Sequence, residues 1–141
     1  MKIGCLNYIL KGRTPVEEPD IQNWMEWFER AHKTDLCSVA RTKIFHQKKP
    51  EKVHTISTVF LGVNRNFLGG SPLLFESLEF IREGEAEDTG DVDRATTWEE
   101  AEERHKDLAL NIAARLEKEH GPGIHIVSTN GRGYMKWERK R

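Results

Sequence analysis

Cysteine is scarce in this chain, long apolar runs are missing, and none of the short motifs that announce catalysis occurs. The two cysteines, Cys5 and Cys37, stand alone. Without CxxC spacing they make neither a zinc site nor a thioredoxin-like pair, and reduced, part-buried thiols are expected. The apolar stretches fall well short of the roughly 20 residues that cross a bilayer. The opening MKIGCLNYIL lacks the basic leader and long apolar segment of a secretory signal. A cytoplasmic protein with no membrane contact is therefore expected. The six histidines are scattered, with no HxH or HExxH pair. The one set that neighbouring strands would bring together is His46, His54 and Glu76, and no metal is expected. Gly69-Gly70-Ser71 is neither a Walker loop nor a nucleophile elbow, and there is no GxGxxG. No cofactor is expected, and a non-enzymatic role is favoured over an enzymatic one.

What is present is charge, unevenly placed, and a β-rich centre. The formal net charge of -1 conceals eleven carboxylates against two arginines over residues 79–103, and five basic residues against Glu138 over residues 131–141. The middle repels phosphate and the tail attracts it. The 141 residues suffice for a single domain, 1–141, with one hydrophobic core.

Residues 53–81 carry the densest run of β-branched, aromatic and bulky side chains, broken by Asn64, Asn66, Gly69, Gly70 and Pro72. That pattern predicts two strands joined by a long loop. LCSVARTKIFH at 36–46 reads as a strand before them, and residues 2–10 as a short fourth. Asp20 ahead of Ile21, Trp24, Trp27, Phe28 and Ala31 predicts a capped helix over about 21–32. Its two tryptophans are expected to seal it onto the sheet.

Residues 84–95, acidic and with Val92 as their one large apolar residue, read as an exposed loop. Thr97 and Glu100 form a capping box before the stripe Trp98, Ala101, His105, Leu108, Ala109, Ile112 and Leu116, so a helix is expected up to about His120. Residues 121–141 form a C-terminal extension in which Asn130-Gly131 predicts a hairpin. The fold class expected is α+β: an antiparallel sheet of three to four strands covered by two helices, with a C-terminal β-hairpin. An open strand edge would invite a homodimer.

Three constellations merit weight. Glu76 falls on an apolar strand phase and His105 on the apolar helix stripe, so each needs a partner, and a Glu76–His105 acid–base pair is the candidate catalytic element. Asn64, Arg65, Asn66 and Phe67 in the central loop combine amide, guanidinium and aromatic groups suited to gripping a partner. Arg132, Tyr134, Lys136 and Trp137 in the basic tail are the nucleic-acid candidates, by charge pairing and stacking.

Taken in order, YILKGRTPV, WMEWFE, SVARTKI, STVFLG, the NRNF loop, PLLFESLEF and TTWEEAEERH resemble a group of small proteins of unassigned activity encoded by tailed phages and prophages. The likeness spans residues 8–105. Members of that group carry an Asp-His pair where this chain has Asn64-Arg65, which removes a general base or metal ligand from the loop. The resemblance implies a phage or prophage accessory protein in the host cytoplasm. It would bind a host or viral macromolecule, with a protein as the favoured partner, and block a host defence. A small-ligand-binding protein or minor hydrolase using Glu76 and His105 is the alternative, and a nucleic-acid module acting through the tail the third reading.

Overall fold

The computed structural model describes residues 6–130 and 133–140, the stretch from residue 129 onward as backbone. Near the start, β1 (Tyr8–Lys11) and β2 (Thr14–Glu17) pair as a separate antiparallel ribbon. The following helix, α1 (Ile21–Lys33), begins where the Asp20 carboxylate accepts the free N–H groups of Gln22 and Asn23. The Trp24 indole N–H then ties it to the carbonyls of Tyr8 and Gly62, at 3.1 Å each. Trp27 and Phe28 pack their rings on Phe60.

The main sheet contains β3 (Ser38–His46), β4 (Lys49–Phe60), β5 (Phe75–Glu83), β6 (Ala86–Ala95), β7 (Ile124–Asn130) and β8 (Gly133–Lys140). All are antiparallel, in the order β6-β5-β4-β3-β7-β8. Between β6 and β7 the chain forms α2 (Trp98–His120), which lies across one face of this sheet. Thr97 Oγ1 accepts the Glu100 N–H at its start. At its end His46 Nε2 donates to the Gly121 carbonyl, while the Lys48 ammonium reaches that of His120. Helix carbonyls that have no intrahelical partner are thus satisfied from β3 and the turn after it.

The sheet of three to four strands under two helices must be corrected. Six strands form the sheet and two more the ribbon, among the described residues. Two expectations failed for physical reasons. The acidic segment 84–95 is not a loop, because β6 is held by backbone pairing with β5 and needs no apolar side chains to form. The described part of the N-terminal segment adds no strand to the main sheet: Tyr8–Lys11 folds back on β2, with a single bridge from Asn7 to Val63, and residues 2–5 lie outside the described residues. The helices are also unequal: α2 spans the sheet face, whereas α1 packs at one corner on β1 and the Phe60 ring. The C-terminal strands do not stand apart, since β7 pairs with β3 along seven positions and carries β8 at the sheet edge. The turn expected at Asn130-Gly131 falls on Gly131 and Arg132, which lie outside the described residues.

The core beneath the helices divides in two. One apolar cluster gathers Val39, Phe60, Leu74, Phe75, Trp98 and Ala101 near α1. The other gathers Ile44, Ile56, Leu108, Ile112, Ile124 and Ile126 farther along α2. His105 lies between them in sequence, and so do Thr42 and Thr58 on their strands.

Candidate functional site

The boundary between the two clusters is polar. His105, 5% exposed on the inner face of α2, points both ring nitrogens at the sheet: Nε2 meets Thr42 Oγ1 and Nδ1 meets Thr58 Oγ1, each at 2.6 Å. Thr42 continues to Ser128 and Thr58 to Ser77. The result is a chain of five buried groups, Ser77–Thr58–His105–Thr42–Ser128, crossing β5, β4, β3 and β7. Each hydroxyl sits on the inward phase of its strand beside apolar residues, as Thr42 does two residues from Ile44 and Thr58 two from Ile56.

Every member bonds to another, so none is left unsatisfied at the cost of about 1–3 kcal/mol that an orphaned buried group carries. A neutral imidazole donates from one nitrogen and accepts at the other, which gives the chain one direction. Burial pushes the His105 pKa down to about 4, so the ring is uncharged near neutrality. Chemically, the arrangement fixes the register of four strands beneath one helix.

A second buried polar group lies toward the far end of α2. Glu79 on β5 is 1% exposed, and its Oε2 accepts from His54 Nδ1 on β4 at 2.8 Å. Its Oε1 accepts the Asp91 N–H at 3.1 Å, and Arg115 on α2 approaches to 3.7 Å. The Asp91 amide is available because β6 bulges opposite Glu79, between the Leu78 and Phe80 pairings. Gly90 in the bulge touches the carboxylate, and a Cβ there would fall 2.2 Å from Oε1. Burial by itself would raise the Glu79 pKa. The hydrogen bonds from His54 and the Asp91 amide, with the His54 and Arg115 charges, outweigh it and hold the value below the usual carboxylate range.

The structure separates Glu76 from His105. Glu76 lies on the opposite face of the sheet, where Arg94 Nε donates to it at 3.1 Å. His105 is under the helix with its two threonines. The pair proposed for acid–base work is therefore not assembled, and the carboxylate on the inward phase of β5 is Glu79, three residues on. The set His46, His54 and Glu76 does not converge either, and no group of three or more potential metal ligands forms among the described residues. The small hydroxyl residues at inward strand positions were a sequence signal for the chain around His105. Their convergence depends on strand pairing that the sequence does not display.

The central loop is internally braced. Asn64 Oδ1 accepts the N–H groups of Asn66 and Leu73, while Asn66 donates its amide to the Ser71 carbonyl and accepts the Leu68 N–H. Gly69 and Gly70 take φ of 89 and 92, a region open to glycine, and turn the chain at the tip. Two of the four grip candidates thus build the loop, and Phe67 is presented by it: Phe67 is 78% and Leu68 99% exposed. Arg65 donates its backbone N–H to the Leu73 carbonyl and contributes to the same brace. Of the tail candidates, Tyr134, Lys136 and Trp137 fall on β8, their side chains outside the described residues, as is Arg132 altogether.

No protein-family model, curated protein or solved structure matches the chain. No helix among the described residues is long and apolar enough to cross a membrane.

Proposed function

We propose that this protein is a non-enzymatic binding protein that grips a macromolecular partner with the 64–72 loop. The observation that carries this reading is a braced loop holding Phe67 and Leu68 out in water. Exposing two large apolar side chains side by side is unfavourable to an isolated molecule and favourable to one that buries them on a partner. Because Asn64 and Asn66 already hold the backbone, little ordering entropy is lost on contact. In the setting implied by the resemblance to phage and prophage proteins, the partner is a host or viral protein, and blocking a host defence is the favoured outcome.

The test compares the wild type with a Phe67→Ser/Leu68→Ser variant as bait in one host lysate. The variant keeps its fold, with unfolding free energy within about 0.5 kcal/mol of wild type, because both side chains are exposed. The expected result is a protein retained in stoichiometric amount by the wild type and lost with the variant. Equal retention by both, or none by either, overturns the reading.

A further inference from the structure

The helices leave the other face of the six-stranded sheet uncovered, and its charge is not spread evenly. Toward β5 and β6 the outward arginines are neutralised: Arg82 pairs with Glu87, and Arg94 with Glu76. On β3 they are not balanced in this way. Arg41 and Lys43 are exposed, and their cross-strand neighbours are Ser57 and Thr129 for the first, Thr55 and Val127 for the second, all uncharged. Two residues farther along the same phase, Phe45 stacks on His125 of β7, with ring centroids 4.9 Å apart and planes within 5° of parallel. Phe80 lies in the row of Lys43, across Thr55. Beyond β7 the backbone of β8 forms the edge of the sheet.

We propose that this face, along β3 and β7, is a platform for single-stranded nucleic acid. The chemistry fits that ligand on two counts. Uncompensated cations two residues apart, about 7 Å along a strand, offer successive contacts to a phosphate backbone, and flat rings beside them offer stacking surfaces to bases. The pairing of aromatic residues with basic ones on an open sheet is how sequence-tolerant single-strand binders hold their ligand. Serine and threonine hydroxyls between the charged and aromatic positions supply hydrogen-bond partners for sugars and phosphates. A duplex suits the surface poorly, because its bases are stacked on one another and unavailable to Phe45. This surface is separate from the 64–72 loop, so it stands or fails independently of the partner reading.

The experiment is fluorescence anisotropy with end-labelled 12-mers of deoxythymidine and uridine, and a duplex of the same length, at 50 mM salt. Saturable binding of the single strands is expected, weakening as salt is raised to 200 mM because phosphate contacts release counterions. Arg41→Gln/Lys43→Gln, both exposed, should weaken it at least about tenfold, and Phe45→Ala about fivefold or more, the loss of one stacked base. Lys106→Gln/Lys118→Gln on the helix side should leave it unchanged. The deoxythymidine and uridine arms tell DNA from RNA, and either supports the proposal. Overturning results are an absence of binding, equal or tighter binding of the duplex, equal loss from the helix-side variant, or no loss from Arg41→Gln/Lys43→Gln. Phe45→Ala is scored only if its circular dichroism and melting temperature match wild type, and the lysine–arginine variant decides otherwise.

Discussion

The two faces of the main sheet are made by the same strands and have been given opposite tasks. On the helix side, Thr42, Thr58, Ser77 and Ser128 are buried and bonded through His105, between two apolar clusters. On the open side of β3, one residue to either side of Thr42, Arg41 and Lys43 are exposed, and Phe45 on the same phase is half-buried against His125. Strand alternation allows this, since consecutive side chains point to opposite faces. The lesson is that polar residues in a strand mean different things by phase. Inside they are costly unless they find each other, and they then fix which strand lies beside which. Outside they are inexpensive and free to meet a ligand.

The contrast can be broken from the inside first, and acid gives the largest expected effect. His105 has a pKa of about 4 in the folded chain against an ordinary 6.5, so between these values the unfolded chain takes up a proton that the folded chain refuses. Stability is therefore fully present above pH 6.5 and falls as the pH drops toward 4, by about 3 kcal/mol. Below that, protonation of Glu79, whose pKa is lowered, removes a further contribution. Urea unfolding midpoints measured from pH 7 to 4 follow this loss.

Next, His105→Leu at pH 7 should cost about 2 kcal/mol, the two hydrogen bonds to Thr42 and Thr58, while making stability less dependent on pH over 4–6.5. Adding Thr42→Val and Thr58→Val to it would strand Ser128 and Ser77 and should worsen the loss, which a mutant cycle resolves. Gly90→Ala should cost about 1–3 kcal/mol, because the new methyl displaces the Glu79 carboxylate from the Asp91 amide. Chemical denaturation with that variant, and with Gly90→Ala/Glu79→Gln to separate clash from charge, checks it. The smallest effect is on the open face: Lys43→Gln should change stability by no more than about 0.5 kcal/mol. A large loss there would erase the distinction between the faces.

Both helices were legible because their signals are local. Asp20 caps α1 and Thr97 caps α2, and every residue of the predicted stripe from Trp98 to Leu116 is buried. The β3-β4-β5 pairing also follows from residues near in sequence. β6 was not legible: residues 86–95 carry acids, a glycine and a single valine among their larger side chains, and pairing comes from their backbone. The buried carboxylate is hidden from the sequence for a related reason. Glu76 and Glu79 both alternate with apolar residues, and which of them faces the core is settled by the pairing of β5 with β4 and β6, a tertiary fact. The need of His105 for a partner was visible in its place on an apolar stripe. That its partners would be two threonines on neighbouring strands was not.

Nitrogen-15 NMR of the His105 ring across a pH series tests the central claim most directly. A neutral imidazole wedged between Thr42 and Thr58 should show one protonated and one bare nitrogen, unchanged from pH 7 to about 5, with titration starting only as the pH nears 4. A ring that titrates near 6.5, or whose two nitrogens average as they do in a freely solvated histidine, would contradict it.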